Sequence, residues 1–206
     1  MAPRGEASVD RVAQIHQAAL KLFARDGYHQ TSMDDIVTAS GLSKGTLYWH
    51  FKSKRELFLS LVERVMGQLV TSWDAALPGA DATAMAKIHA SLSFLRSEVG
   101  PIMPIFCVML EAWALTRQDE DIQARVRASL EPFYTMMERL IQEGVAAGEF
   151  RVTSVHDTAF VLITLIKGLA MAMGSQMWHH DWNDVVDAIE ELVLNGLCRK
   201  GPCGAC

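Results

Sequence analysis

The chain has 206 residues, of which half are hydrophobic and 21% are charged, and this composition indicates a globular protein with a sizeable core rather than a disordered segment. It starts without a signal segment, and its longest apolar run, 159–174, is short for a membrane span and contains Lys167, so we expect a cytoplasmic protein with no membrane partner. The net charge is −5, but residues 1–60 carry 8 basic and 6 acidic side chains whereas the remainder carries 11 and 18, so only the N-terminal third would attract an anionic partner.

Apolar residues at helical spacing predict a first helix over residues 9–26, which ends at Gly27. A short second helix starts near Ser32, a residue type that caps helix N-termini, and ends at Gly41. Ser43 can cap a third short helix. Two short helices joined by a tight, glycine-containing turn are typical of a helix-turn-helix.

A fourth helix begins at a capping box formed by Ser53 and Glu56 and runs to about residue 76. Pro78 and Gly79 then break the chain. Five further helices are predicted, with Pro101, Pro104, Gly148 and the HHDWND stretch between them: residues 81–98, 102–117, 119–147, 155–178 and 182–199. No alternating strand pattern persists, so the sequence predicts an all-α fold.

The third helix begins with small, polar and basic residues. Gly45 costs up to about 1 kcal/mol relative to alanine in a helix interior, and close approach of a partner would justify it. Free N–H groups at a helix N-terminus bind phosphate, and Lys44 and Thr46 could reach phosphates or base edges. This pattern favours a helix that contacts DNA.

Aromatic residues follow one turn later, and they have two interpretations. In one, Tyr48 and His50 contact DNA; in the other, the helix is a solvated, capped helix whose aromatic side chains belong to the core. We expect DNA contact for Tyr48 and His50, and core positions for Leu47 and Phe51, which are four residues apart. Both interpretations stay open for Trp49.

The stretch AALKLFARDGYHQTSMDDIVTASGLSKGTLYWHFKSKRELF, residues 18–58, resembles the DNA-binding domain of TetR-type transcriptional regulators. The likeness includes the glycine-aromatic pair after the first helix, the Thr-Ser start of the second helix and the motif GLSKGTLYWHFKSK. It covers roughly residues 9–69. A weaker likeness of residues 105–150 to a common subgroup of such regulators does not name a ligand.

The resemblance implies an N-terminal three-helix DNA-binding domain and a C-terminal helical domain for ligand binding and dimerisation. The expected divisions are a flexible N-terminus at 1–8, the DNA-binding domain at 9–69 with its helix-turn-helix at 32–51, the second domain at 70–199 and a cysteine-containing tail at 200–206. Residues expected to contact or border double-stranded DNA are Thr31, Ser32, Ser43, Lys44, Gly45, Thr46, Tyr48, Trp49, His50, Lys52 and Lys54.

A single helix-turn-helix reads few base pairs, so we expect a homodimer on a palindromic operator. The last two helices are the candidates for its interface, and on the final helix Val185, Ile189, Leu192 and Gly196 form one stripe. The resemblance implies a four-helix interface from two subunits. The alternative is that these helices form only an internal core.

The second domain holds 8 of the 11 methionines together with several aromatic residues, which suits an adaptable apolar pocket, although most of them will simply fill the core. Candidates to line a cavity are His89, Met103, Phe106, Cys107, Leu110, Trp113, Tyr134, Met137 and Phe160. We hypothesise that a small hydrophobic or aromatic effector enters this cavity, pushes the fourth helix and releases DNA. This predicts a repressor, with an activator as the less favoured alternative.

The C-terminal cysteines allow another form of regulation. Cys198, Cys203 and Cys206 lie within nine residues, but one C-x-x-C is a weak metal signal, so we expect a disordered tail and no metal site. The alternative is a regulator that senses thiol oxidation or metal.

No H-E-x-x-H, P-loop, G-x-S-x-G or dinucleotide motif occurs, and we expect neither an enzyme nor a cofactor. A pure interaction module would leave the third helix unexplained.

Overall fold

The computed structural model describes residues 4–116, 119–174 and 181–197. In these ranges the elements are helices: α1 (Arg4–Asp26), α2 (Met33–Ser40), α3 (Lys44–His50), α4 (Lys54–Ala76), α5 (Ala84–Thr116), α6 (Glu120–Ala146), α7 (Val155–Gly174) and α8 (Trp182–Leu197). The predicted all-α fold is confirmed. Among the described helices, none combines the length and apolar character needed to cross a lipid bilayer.

Helix α5 corrects one sequence-based expectation, because it continues through both Pro101 and Pro104 instead of breaking there. A proline inside a helix removes one amide donor and crowds the carbonyl four residues earlier, at about 3 kcal/mol. Leu95, before the two prolines, and Val108, after them, are buried on α5. Burial of such apolar side chains before and after the prolines favours the continued helix.

The chain forms two compact units. One consists of the residues up to Gly67 together with Met103–Ser129, and the other of Gln68–Ile102 together with the described residues from Leu130 onward. The first unit therefore holds the predicted helix-turn-helix as well as the end of α5 and the start of α6. The division into domains at 9–69 and 70–199 stays a prediction.

The first unit packs its helices around aromatic side chains. Phe23 of α1 meets Phe58 of α4 edge to face, with ring centroids 5.4 Å apart, and the Tyr28 ring lies 4.8 Å from the same phenyl ring. Leu47 and Phe51, at the middle and the end of α3, are buried. The expected core positions of Leu47 and Phe51 are thus confirmed, and they attach the short α3 to its unit.

Another contact in this unit lies under the end of α3. His16 of α1 is buried, its ring centroid is 5.3 Å from that of Phe51, and its Nε2 is 3.1 Å from Ser60 Oγ. The Nδ1 atom is buried without a hydrogen-bond partner in the part of the chain that the structure describes. Burial, and secondarily the charge of Arg64, lowers the pKa of His16 to about 4.

The second unit contains two buried clusters. In one, α8 packs its buried stripe against residues of α5 and α6, including Ile88, Leu92 and Leu140. In the other, Trp73 of α4 packs with residues of α6 and α7, and its Nε1 donates a hydrogen bond to Ser91 Oγ at 2.9 Å. Each helix of this unit therefore has a buried apolar face.

Gly144→Ala is expected to destabilise the protein. A β-carbon at this buried position of α6 would lie 2.7 Å from Cγ of Phe150, and Phe150 belongs to a closely packed cluster. Overpacking of this kind costs about 1–3 kcal/mol, which urea denaturation followed by circular dichroism would measure. The matched control is Gly67→Ala on α4, where the added carbon meets no atom within 4 Å, so unchanged or slightly higher stability is expected. Equal stability of both variants would contradict this packing.

Stability should also depend on pH through His16. Its pKa is about 4 in the native state, against 6.5 for an ordinary histidine, so the unfolded chain binds the extra proton first. The neutral ring's contribution is complete above pH 6.5 and is lost as the pH falls towards 4. Between pH 7 and pH 5 the free energy of unfolding should drop by up to about 2 kcal/mol more in the native protein than in His16→Gln. Parallel pH profiles would exclude this role of His16.

Candidate nucleic-acid interface

Local caps build the helix-turn-helix. Ser32 Oγ accepts a hydrogen bond from the Asp35 amide at 3.1 Å, and Asp35 Oδ2 accepts one from the Ser32 amide at 2.8 Å, which completes a capping box for α2. Helix α2 ends at Gly41, whose φ of 67° lies in the left-handed region that glycine tolerates best. Ser43 Oγ then accepts from the Thr46 amide at 3.1 Å and starts α3.

Helix α3 has a buried side and an exposed side. Leu47 is fully buried, whereas the side chain of Trp49 is 69% exposed and that of Tyr48 is 36% exposed. His50 is half-buried and packs edge-on against Trp49, with ring centroids 4.5 Å apart. Two exposed aromatic rings on a helix of seven residues form a surface suited to a partner.

Gly45 has space around it on this exposed side. A β-carbon added there would meet only Ser43 Oγ, at 3.8 Å, which is an ordinary contact. Packing within the protein therefore does not require glycine at this position. The absence of a side chain instead permits a partner's backbone to approach the first turn of α3.

Lys44 is held at the start of α3 by Asp34 of α2. Its Nζ lies 2.7 Å from Oδ1 and 3.1 Å from Oδ2 of Asp34, and 5.9 Å from the ring centroid of Tyr48. The hydrogen bond to Asp34, with the charge of that carboxylate, raises the pKa of Lys44. Lys44 therefore stays charged, and it is exposed together with its partner.

The two following lysines occupy different positions. Lys52 is exposed and its Nζ donates to the carbonyl of Tyr48 at 3.0 Å. The Nζ of Lys54 instead donates to the carbonyls of Tyr28 at 2.7 Å and Thr31 at 2.8 Å, and lies 4.4 Å from the Tyr28 ring centroid. Lys54 thus differs from its predicted position as a phosphate contact, because its ammonium group closes the loop between α1 and α2.

Thr31 also faces inward. Its side chain is 2% exposed and its hydroxyl donates to the Gly27 carbonyl at 2.9 Å. The neighbouring Ser32 is exposed, but its hydroxyl is used in the capping box. Of the predicted contacts at the start of α2, only Ser32 therefore has its side chain at the surface.

Arg55, at the start of α4, is a residue that the sequence did not single out. Its Nη2 donates to both carboxylate oxygens of Asp119, at 2.8 and 2.9 Å, and to Asp121 Oδ2 at 2.8 Å. Asp119 also accepts the amide of Ile122 at 3.1 Å and so caps α6. In the sequence, only the acidic residues 119–121 indicated a possible partner for a basic side chain. No local pattern connects Asp119 to Arg55, which lies 64 positions earlier. Arg55 connects the helix after α3 to the start of α6 within the first unit.

The nine cavity candidates do not lie in one unit. Five of them belong to the first unit, namely Met103, Phe106, Cys107, Leu110 and Trp113, and the other four belong to the second. There His89 is exposed, 2.7 Å from Glu190; Met137 is buried; and the Tyr134 ring stacks on Phe160, whose side chain is 53% exposed, with centroids 6.4 Å apart. The pocket composition stays a prediction.

A cleft of about 490 Å³ occurs elsewhere in the second unit, between α4 and α6. Its lining combines apolar side chains with three charged ones: Val70, Thr71, Asp74, Glu131, Pro132, Thr135, Met136 and Arg139. Arg139 lies 3.4 Å from Asp74 across it. None of the predicted cavity residues lines this cleft.

The candidate interface residues on α8 divide between the core and the surface. Ile189 is buried and Val185 packs against the same cluster, whereas Gly196 is exposed and Leu192 is 69% exposed. Large apolar side chains of α7 are exposed as well: Phe160, Val161 and Leu165. More apolar side chains are therefore exposed on α7 and α8 than the predicted stripe of α8 contains. Ile189 instead packs in the core of its own subunit.

The three C-terminal cysteines proposed as a possible sensor, Cys198, Cys203 and Cys206, lie outside the described residues. Within the described ranges, no three histidine, cysteine or acidic side chains are grouped so that they could hold a metal ion. Cys107 is a free, half-buried thiol on α5.

Two family models match the chain. Residues 15–61 match the bacterial regulatory proteins of the tetR family, and residues 103–199 match the C-terminal region of QacR-like proteins. The first match contains α2 and α3 with their caps, and the second begins within α5 and contains α6 to α8.

Relatives extend this likeness over most of the chain. The fatty acid metabolism regulator protein of Bacillus subtilis is 27% identical over 189 residues, which cover 91% of this chain and 95% of that protein. The uncharacterized HTH-type transcriptional regulator YfiR of the same organism is 30% identical over 151 residues, 68% of either chain. The structure of FadR from Bacillus subtilis in complex with stearoyl-CoA superposes with a TM-score of 0.75 at 22% identity, covering 89% of this chain and 98% of that one, and so has the same fold. Together with the capped helix-turn-helix of α2 and α3, these matches establish that the chain belongs to the TetR family of bacterial transcriptional regulators.

Proposed function

We propose that this regulator is a cytoplasmic repressor that binds a palindromic DNA operator as a homodimer and releases it when an apolar effector binds. The observation that carries the proposal is the exposed side of α3, where Gly45 leaves room for a partner and where Lys44, Tyr48 and Trp49 are at the surface. No catalytic step is required.

The chemistry of α3 suits the major groove of DNA. Its first turn combines the positive end of the helix dipole, which attracts phosphate, with the exposed ammonium group of Lys44, which can donate to a base acceptor. Exposed Tyr48 and Trp49 offer apolar and hydrogen-bonding contacts to base edges or sugars, and Lys52 adds charge one turn later. Ser32 borders this surface at the start of α2, while Thr31 and Lys54 support it from within.

Dimerisation would explain the exposed apolar side chains of α7 and α8. Phe160, Val161, Leu165 and Leu192 are between 39% and 69% exposed, and such residues are usually covered in a stable assembly. A two-fold dimer would place two copies of α3 about 34–36 Å apart, in successive major grooves. Gly196 would then permit close approach of the partner's helix.

Arg55 offers a route for regulation. Its paired hydrogen bonds to Asp119 connect the start of α4, next to α3, with the N-terminus of α6. An effector that displaces the start of α6 would pull Arg55, and with it α4 and α3, away from the spacing that DNA requires. A coupling free energy of about 1–3 kcal/mol would suffice for regulation. A regulator of fatty acid metabolism is similar in sequence, and FadR from Bacillus subtilis, which has the same fold, was solved in complex with stearoyl-CoA, so long acyl chains are the first effectors to test.

The central experiment is a fluorescence anisotropy titration of the full chain onto labelled DNA from upstream of its own gene, with random duplex as the reference. Tight binding to the upstream DNA alone, at two subunits per site, is expected. Stearoyl-CoA added to the preformed complex should release the DNA. No binding to either duplex at low salt would refute the DNA-binding proposal, and an unchanged complex across a panel of apolar compounds would refute the effector part.

Gly45→Ala should weaken operator binding by about tenfold or more, which equals about 1.4 kcal/mol, because the methyl group occupies the space left for the partner. Its stability should be unchanged or higher, since the added carbon meets no close contact within the protein. Gly67→Ala, which makes the same change on α4, should bind DNA normally. Wild-type affinity in Gly45→Ala would mean that DNA does not approach the first turn of α3.

Val161→Glu and Leu192→Glu should each shift the protein from dimer to monomer, because they place a charge in the proposed apolar interface without touching the core. Size-exclusion chromatography with light scattering would measure the mass, and circular dichroism would verify the helices. Gln123→Glu on α6 makes the same change of charge at an exposed position in the first unit and should remain dimeric. If all three variants have the native mass, the interface lies elsewhere.

A further inference from the structure

Asp34 occupies an unexpected position for a protein that meets a polyanion. Its side chain is 68% exposed beside the first turn of α3, where DNA phosphates would repel it. Helix α2 does not need it as a cap, because Ser32 and Asp35 form the capping box. The described contacts of its carboxylate are both with the ammonium group of Lys44, at 2.7 and 3.1 Å.

This pair changes what Lys44 can do at the DNA surface. An ammonium group has three N–H donors on a flexible stem, and a free one can reach any nearby phosphate. Two carboxylate oxygens lie within 3.1 Å of the Lys44 ammonium and the Tyr48 ring centroid lies 5.9 Å from it, so the pair favours one direction of the lysine stem and offsets its charge locally. The nearby carboxylate weakens the attraction between Lys44 and phosphates, which drives binding to any DNA sequence. One N–H of the ammonium group remains available for a base acceptor at a defined position.

Stability does not account for the pair. Its two side chains are 61% and 68% exposed, and ion pairs at such positions contribute little to folding. A weak pair can also exchange one carboxylate oxygen for a base acceptor at little cost.

We propose that Asp34 is a specificity-determining residue of the DNA-binding surface, which rests on the proposed function of α3. It holds Lys44 so that this lysine contributes to recognition of the operator and not to the sequence-independent attraction of phosphate. Removing the carboxylate should release Lys44 to phosphates and so raise affinity for random DNA more than for the operator.

The test is a double-mutant cycle with the wild type, Asp34→Asn, Lys44→Ala and the double variant. Each full-length protein is titrated onto random duplex and onto duplex selected from a randomised pool by the wild type, between 50 and 200 mM salt. One additional phosphate contact steepens the log–log salt dependence by about 0.9, or about threefold in affinity over this range. For Asp34→Asn on random DNA we expect this steepening and a lower ratio of selected to random affinity. Both changes should vanish in the double variant.

Asp81→Asn is the control for net charge, because it removes one exposed carboxylate in the segment before α5. It should leave the affinity ratio unchanged. The inference is overturned if Asp34→Asn behaves like Asp81→Asn, or if the effects of Asp34→Asn persist without Lys44. A failure of the proposed function looks different, since Lys44→Ala would then bind both duplexes as the wild type does.

Discussion

A helix of seven residues cannot stay formed in water by itself, because the cost of its first turn is recovered over too few hydrogen bonds. Helix α3 therefore depends on the burial of Leu47 and Phe51 in the first unit and on the Ser43 cap at its start. Since both buried residues face one way, the opposite side is left to Tyr48 and Trp49. The packing that makes the helix possible also decides which residues are exposed for a partner.

The polar residues around α3 differ in whether they stabilise the fold or remain exposed for a partner. Lys54 and Thr31 use their polar atoms to close the loop before α2, whereas Gly45 and Lys44 remain at the surface. Arg55 lies between these roles, because it follows α3 closely in sequence and is paired with Asp119 at the start of α6. A basic stretch that looks uniform in the sequence thus divides into residues that support the loop before α2, residues of the proposed DNA-binding surface, and Arg55, which connects α4 to α6.

The caps at Ser32 and Ser43 and the turn at Gly41 could be predicted from the sequence, because each acts on residues within three or four positions. The all-α fold followed from helical spacing, and the burial of Leu47 and Phe51 from their separation. The pairing of Arg55 with Asp119 depends on packing across 64 positions and has no local signature.

Other differences between the sequence-based predictions and the structure also arise from packing between residues that are distant in sequence. The carbonyls that bind Lys54 lie 23 to 26 residues before it, so the sequence alone predicted a phosphate contact for this basic residue after α3. Helix α5 passes through Pro101 and Pro104, where local rules predict a break, and buried side chains before and after the prolines, such as Leu95 and Val108, favour its continuation. Met103–Ser129 belongs to the same compact unit as the helix-turn-helix, so a chimera joined after residue 69 would separate Arg55 and Glu63 from their native partners, Asp119 and Arg125. Exchange of parts between this chain and another family member, by recombination or by design, is therefore constrained to transfer the start of α6 together with the helix-turn-helix.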